Sequence, residues 1–127
     1  MEKPYEKLKF YQDICEIRKL VILITERFSR TNLRLISQMR DAARSAKQNI
    51  REGYAKGSLP GFIQAIRISR GSLEELSGDM EDCLGDRLIS APEHERFSKL
   101  YKSADYMSAQ YIKSMNRSSN KEKWKNF

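Results

Sequence analysis

Apolar residues recur at alternating steps of three and four along most of this chain, which is the spacing of one face of an α-helix. Four segments show this pattern: residues 5–28, 33–56, 60–84 and 92–115. No segment alternates between apolar and polar residues with a period of two, as a half-buried strand would. The pattern therefore predicts four amphipathic helices and no sheet.

Each predicted helix has one apolar side that faces a shared core. In the first helix, Cys15, Leu20 and Leu23 widen a narrower apolar stripe. In the fourth helix the stripe includes Met107. The stripe of the third helix is the most regular, and its members are Phe62, Ile66, Ser69, Leu73, Leu76, Met80 and Cys83. The second helix has small residues on this side, including Ala42, so a neighbouring helix can approach it closely.

Capping residues mark the helix ends. Ser58 precedes a proline and is an expected N-cap for the third helix. Ser90 and Glu93 have the spacing of a reciprocal capping box at the start of the fourth. Gly57 and Gly85 can adopt the left-handed backbone conformation that ends a helix.

The connections between these segments are short, which favours antiparallel packing of sequential helices. The sequence thus predicts an all-α protein, an up-down-up-down four-helix bundle over residues 1–116. Residues 117–127 are polar and basic, and they are expected to form a flexible tail. Trp124 lies among lysines in that tail, so the tail is an alternative nucleic-acid-binding segment in which Trp124 would stack against a base.

The overall composition describes one small, basic, cytoplasmic domain. The chain has 127 residues, with 24 Lys and Arg against 17 Asp and Glu, and a net charge of +7. It has no apolar run of the roughly 20 residues that a membrane span needs and no apolar leader segment. Cys15 and Cys83 both lie in apolar-periodic segments, so we interpret them as reduced core thiols.

The positive charge is concentrated in one third of the chain. Residues 30–70 contain nine Lys and Arg but only two Asp and Glu. Four of these basic residues share one face of the second helix, and three more follow nearby: Arg40, Arg44, Lys47 and Arg51, then Lys56, Arg67 and Arg70. A solvated helix face usually mixes charges of both signs, whereas four like charges on neighbouring turns repel one another. The pattern favours binding to nucleic-acid phosphates, with an ordinary solvated face as the alternative.

The third helix has a contrasting outer side. An acidic block extends from Glu74 to Asp86 with no basic residue in it. Gly71 and Gly78 lie seven residues apart, opposite the apolar stripe, with Glu75 between them. Glycine within a helix costs about 1 kcal/mol relative to alanine. We therefore predict that this side is an interface between copies of the chain, with tolerated surface glycines as the alternative.

Candidate catalytic and metal-binding residues are scarce. His94 is the only histidine, and the two cysteines lack the spacing of a metal site. The chain contains no phosphate-binding loop or dinucleotide fingerprint. We expect a protein that is not an enzyme and that needs no metal or cofactor.

Two short motifs identify a resemblance to a known family. They are Asn49-Ile-Arg-Glu52-Gly53 and Gly71-Ser72-Leu-Glu-Glu-Leu76. Together they resemble the bacterial four-helix-bundle family of proteins encoded in intervening sequences of 23S rRNA genes. That family is related in fold to the accessory variability determinant of diversity-generating retroelements. The resemblance implies a ring-shaped homopentamer that associates with nucleic acid without catalysis, in which Asn49, Glu52 and Ser72 make structural polar contacts.

Three functions remain open from the sequence. The first is an oligomeric scaffold that binds RNA or DNA phosphates. The second is an accessory protein that binds the reverse transcriptase and template RNA of a retroelement. The third is a protein–protein module that docks an acidic partner through the same basic face.

Overall fold

The computed structural model describes residues 3–117 and 124–125. Its four helices are α1 (Lys9–Thr25), α2 (Leu33–Ala55), α3 (Leu59–Gly85) and α4 (Ala91–Arg117), with short 3-10 turns at Pro4–Lys7 and Arg30–Asn32. The described residues contain no strand. The all-α prediction is confirmed.

The helices form an antiparallel bundle in which sequential helices are neighbours. Helix α1 packs against α2 and α4, and α3 packs against the same two helices. The connections at residues 26–32, 56–58 and 86–90 are short, as antiparallel neighbours allow. Helices α2 and α4 therefore lie at opposite corners of the bundle, with their outer faces pointing in different directions.

The α2–α3 pair is closely packed because small residues meet there. Ala42, Ala46 and Gly53 are buried on α2. A Cβ atom on Gly53 would overlap the Cβ of Ala65 on α3. The predicted close approach is confirmed, and it directs the long basic side chains of α2 away from α3.

The predicted N-caps are present. The Ser58 hydroxyl accepts a hydrogen bond from the Gly61 amide at 3.2 Å. The Ser90 amide donates to Glu93 at 2.8 Å, and the Glu93 amide donates back to the Ser90 hydroxyl at 3.3 Å. These bonds satisfy amides that the first turn of a helix cannot pair internally.

Of the two glycines predicted to end a helix in the left-handed conformation, Gly57 does so and Gly85 does not. Gly57 has a φ of +82°, as expected, but Gly85 is the last residue of α3 and is helical. The left-handed residue there is Arg87, with a φ of +62°. The Leu88 amide donates to the Cys83 carbonyl at 2.8 Å, so the chain turns two residues later than the glycine suggested.

The first helix is shorter than its apolar pattern indicated. Leu8 has an extended backbone that separates the Pro4–Lys7 turn from α1, and α1 ends at Thr25. Leu23, expected to widen the apolar stripe, is 65% exposed. At 100° per residue, Leu23 lies about 140° from the centre of that stripe, so it points to solvent.

The buried face of α4 is rotated from the predicted one. Met107 is 39% exposed, whereas Ser108 and Ile112 are buried. Serine is small and can satisfy its hydroxyl within the helix, since Ser108 donates to the Asp105 carbonyl at 3.1 Å. Ser108, a polar residue, is therefore buried in the core where the apolar pattern predicted Met107.

Part of the predicted tail can be described. Helix α4 continues to Arg117, and Trp124 is only 6% exposed. The Trp124 ring stacks on Phe62 with centroids 5.1 Å apart and contacts the Tyr54 ring at 5.8 Å. Trp124 is therefore a core residue, and its ring faces cannot receive a base. Residues 118–123 and 126–127, for which a flexible tail was predicted, lie outside the described part of the chain.

Candidate nucleic-acid interface

The basic face of α2, defined as Arg40, Arg44, Lys47 and Arg51, borders α1. The Arg40 Nε donates to the Thr25 hydroxyl of α1 at 2.9 Å. Lys47 lines a shallow depression with Cys15 and Glu16 of α1. These contacts follow the antiparallel direction of the two helices, so the face extends along the whole α1–α2 groove.

The Arg51 end of this face lies beside the buried Tyr11 of α1. Burial raises the pKa of Tyr11 well above its usual value, and the positive charge of Arg51 acts in the opposite direction. The Tyr11 phenol therefore stays protonated, and Arg51 has no anionic partner there. The groove can attract an anion at Arg51 without competition from this neighbour.

Most of the cations on this face have no acidic partner among the described residues. Arg44 and Arg51 are exposed, Lys47 is half-buried, and none of the three forms an ion pair with a described residue. Lys56 lies exposed just beyond the end of α2. Glu6 and Glu16 line the same depression as Lys47 but form no ion pair with it, so the like charges persist over successive turns.

Arg18 adds a fifth cation that sequence reasoning missed. It lies three residues after Cys15 and seven before Thr25, the two α1 residues that lie beside Lys47 and Arg40. Helical spacing places Arg18 on the same side of α1, and its side chain is half-buried. Only the packing of α1 on α2 reveals this, because the sequence does not say which flank of α1 borders α2.

Arg67 and Arg70 do not join the basic face of α2. Arg70 forms an ion pair with Asp105 of α4 at 2.9 Å. Arg67 lines a depression with Asn116 of α4. Both lie on the α3–α4 side of the bundle, so the seven cations predicted to bind nucleic acid lie on two different sides of the bundle.

Of the predicted polar motif, Ser72 makes a contact between α2 and α3, whereas Asn49 bonds within α2. Asn49 donates to the Ser45 carbonyl at 2.8 Å, and the Ser45 and Ser72 hydroxyls are 3.1 Å apart. Ser69 donates to the Ala46 carbonyl at 2.7 Å in the core. The Ser45–Ser72 and Ser69–Ala46 contacts hold α2 in register with α3 and so fix where its basic face points.

Glu52 makes no contact of this kind. It is exposed and accepts a hydrogen bond from Gln48 on its own helix at 3.0 Å. In this structure it therefore contributes to the surface of α2 rather than to the contact with α3.

The α3 outer stripe, defined as Gly71, Glu75 and Gly78, faces solvent as predicted. All three residues are exposed, and a Cβ on either glycine would meet nothing within 4 Å. Ile68, one turn earlier, is 47% exposed. No intramolecular neighbour in the described structure requires glycine at these two positions.

Among residues 3–117 and 124–125, no group of three or more His, Cys, Asp and Glu side chains is placed to hold a metal ion. No helix in the part of the chain described is long and apolar enough to cross a membrane.

Comparison with known proteins identifies the family. No individual curated protein is similar enough to this chain to count as a match. The family model described as 23S rRNA-intervening sequence protein matches residues 6–122, which include all four helices and both sequence motifs. The chain therefore belongs to the 23S rRNA-intervening sequence protein family.

Proposed function

We propose that the protein is a non-catalytic scaffold that binds nucleic-acid phosphates through the basic face of α2. The observation that carries this proposal is the set of cations along the α1–α2 groove that have no anionic partner among the described residues. Like charges on adjacent turns oppose folding slightly, and a polyanionic ligand would offset that cost.

The geometry favours contacts with the phosphate backbone. Arg44 and Arg51 lie two turns apart, which corresponds to about 10 Å along the helix axis. Phosphate contacts fix the position of a protein without reading sequence. We therefore expect little sequence preference and a log–log salt dependence of roughly −3 to −4 for four neutralised phosphates per protomer.

The double variant Arg44→Gln with Arg51→Gln tests the proposal. We expect weaker binding to RNA and DNA oligonucleotides of every sequence, and a salt slope flatter by about 1.4–1.8, because each lost phosphate contact removes about 0.7–0.9. Fluorescence anisotropy across a salt series measures both quantities. Both side chains are exposed, so helicity by circular dichroism should not change.

A control variant separates this face from net charge. Arg30→Gln with Arg87→Gln removes the same two charges from the connecting segments at one end of the bundle. Binding should stay close to that of the wild type. Equal losses in the two double variants, or no loss in the first, would contradict a site on α2. Absence of oligonucleotide binding at low salt would instead favour an acidic partner protein.

We also propose that the scaffold is a homo-oligomer assembled through the α3 outer stripe, with a pentamer as the expected form. The support is the pair of outward glycines with open space above them and the exposed Ile68 beside them. Gly71→Leu should reduce the mass measured by light scattering without lowering helicity. A wild-type monomer at tens of micromolar would contradict this part of the proposal.

A further inference from the structure

The outer side of α4 carries a second group of cations, placed around an exposed tyrosine. At 100° per residue, Lys102, Lys113 and Arg117 lie within about 40° of Tyr106, which is opposite the buried Phe97. All four side chains are exposed, and Tyr106 is 62% exposed. We call these four residues, Lys102, Tyr106, Lys113 and Arg117, the basic face of α4.

The three acidic residues of α4 are already neutralised by other cations. Glu93 pairs with Arg27 of α1, and Asp105 pairs with Arg70 of α3. Glu95 pairs with Lys99 on α4 itself, at 3.6 Å. The cations of the basic face of α4 form no ion pair with any described residue, so their charge is available to a ligand.

The surroundings of this face extend its positive charge. Lys113 and Arg117 line a shallow depression with Gln110 and Ser114. Arg67 of α3 lines a depression with Asn116, the residue before Arg117 in the chain. The sequence assigned Arg67 to the same site as α2, whereas the packing places it beside α4.

Tyr106 differs from the other described aromatic residues of α4. The Phe97 and Tyr101 rings stack on each other with centroids 5.9 Å apart, and the Tyr111 ring packs edge-on against Phe10 at 5.6 Å. The Tyr106 ring contacts no other aromatic ring among the described residues. A large, exposed aromatic ring among three cations is the combination that binds single strands by stacking and charge together.

We propose that the basic face of α4 is a second binding surface, which holds single-stranded nucleic acid with a base stacked on Tyr106. Lys102 and Lys113 lie about 16 Å apart along the helix axis, so they reach different phosphates on either side of the stacked base. This inference rests on the proposed function for its class of ligand. It adds a preference for unpaired strands, because the bases of a duplex are already stacked on one another.

The test compares Tyr106→Ala with Tyr106→Phe in the full chain. Fluorescence anisotropy is measured with oligouridylate and oligothymidylate strands and with a duplex of the same length, about 20 nucleotides, which exceeds the site size of a typical single-strand-binding module. Loss of one stacked base should weaken single-strand binding about 5-fold to 150-fold in the alanine variant. The phenylalanine variant keeps the ring and should bind like the wild type, and duplex affinity should be unchanged in both.

Two controls make the result specific. Leu23→Ala removes a similarly exposed apolar side chain from α1 and should leave binding unchanged. Polyglutamate supplies negative charge without bases, so its binding should not distinguish the alanine from the phenylalanine variant. A decrease in polyglutamate binding equal to that for oligouridylate would show a surface for acidic proteins and would overturn the proposal.

The outcomes also separate this inference from the function proposed for α2. If Arg44→Gln with Arg51→Gln weakens binding but Tyr106→Ala does not, the surface on α4 is refuted and the one on α2 remains. If Tyr106→Ala weakens only single-strand binding, the surface on α4 is supported whatever the α2 variant does. If the wild type binds neither oligonucleotide, both proposals fail.

Discussion

Gly53 should be the least replaceable glycine in the bundle. It is fully helical and buried on α2, where a Cβ would overlap that of Ala65 and also come within 3.6 Å of the Phe62 ring. Overpacking a close-packed core costs about 1–3 kcal/mol. Alanine in place of a mid-helix glycine returns about 0.5–1 kcal/mol through backbone entropy. Because the Ala65 Cβ is fixed to the α3 backbone and cannot move aside, we place the cost of this overlap at the upper end of the range of about 1–3 kcal/mol.

We therefore expect Gly53→Ala to lower the free energy of unfolding by about 2–2.5 kcal/mol after both effects are counted. Urea unfolding followed by circular dichroism measures this directly. Gly85→Ala is the matched control, since Gly85 is also helical, a Cβ on it would meet nothing within 4 Å, and it lies outside the proposed oligomer interface. It should be neutral or stabilising by up to about 0.5 kcal/mol.

The opposite signs of these two substitutions are the core of the test. A Gly53→Ala protein as stable as the wild type would show that α2 and α3 separate without loss, and it would refute the close packing inferred here. Destabilisation by Gly85→Ala would show that the open space around Gly85 is filled, for example by another copy of the chain.

Two further predictions concern the connection between α3 and α4. Arg87→Gly should raise the free energy of unfolding by about 0.5–1 kcal/mol in a urea titration, because glycine adopts the left-handed conformation without the clash that a Cβ makes. Hydrogen bonds from Arg27 and the Ser90 amide lower the pKa of Glu93 from 4.5 to about 2. Folding stability from this group is therefore complete above pH 4.5 and is lost as the pH falls toward 2. Glu93→Gln, which keeps the capping side chain, should cost about 0.5–1 kcal/mol at pH 7 and much less near pH 2, the magnitude being discounted because the pair is partly exposed.

The architecture could be predicted because the apolar spacing is unambiguous in most helices. Every member of the stripe from Phe62 to Cys83 is buried, including Ser69, whose hydroxyl finds a carbonyl on α2. The pattern gives the wrong residue where the polarity of a side chain does not match its burial in the bundle. Met107 is apolar but lies at the edge of the core, and Ser108 is polar but lies within it.

The candidate site was less predictable because it depends on which helices are neighbours. Spacing alone places Arg40, Arg44 and Arg51 on one side of α2. The spacing does not show that Arg18 of α1 borders that side. It also does not show that Arg70 forms an ion pair with Asp105, which lies 35 residues away in the chain. The basic face of α4 was missed for a related reason: acidic residues balance its charge along the sequence, and only the fold shows that Glu93 and Asp105 are paired with other helices.

The two basic faces cannot be parts of one continuous track on a single protomer. Helix α3 separates them on one side, and its exposed side carries Glu74, Glu75 and Glu81, which repel a polyanion. Helix α1 separates them on the other side, where Glu16 is paired with Lys19 and Leu23 is exposed. With α2 and α4 at opposite corners, each protomer would hold two different stretches of nucleic acid, one by its phosphates and one by an unpaired base as well. Holding two stretches at a fixed separation is the work of a scaffold, and it requires contacts that link α2 to α4 through α3: the hydrogen bonds and close packing between α2 and α3, and the Arg70–Asp105 ion pair between α3 and α4.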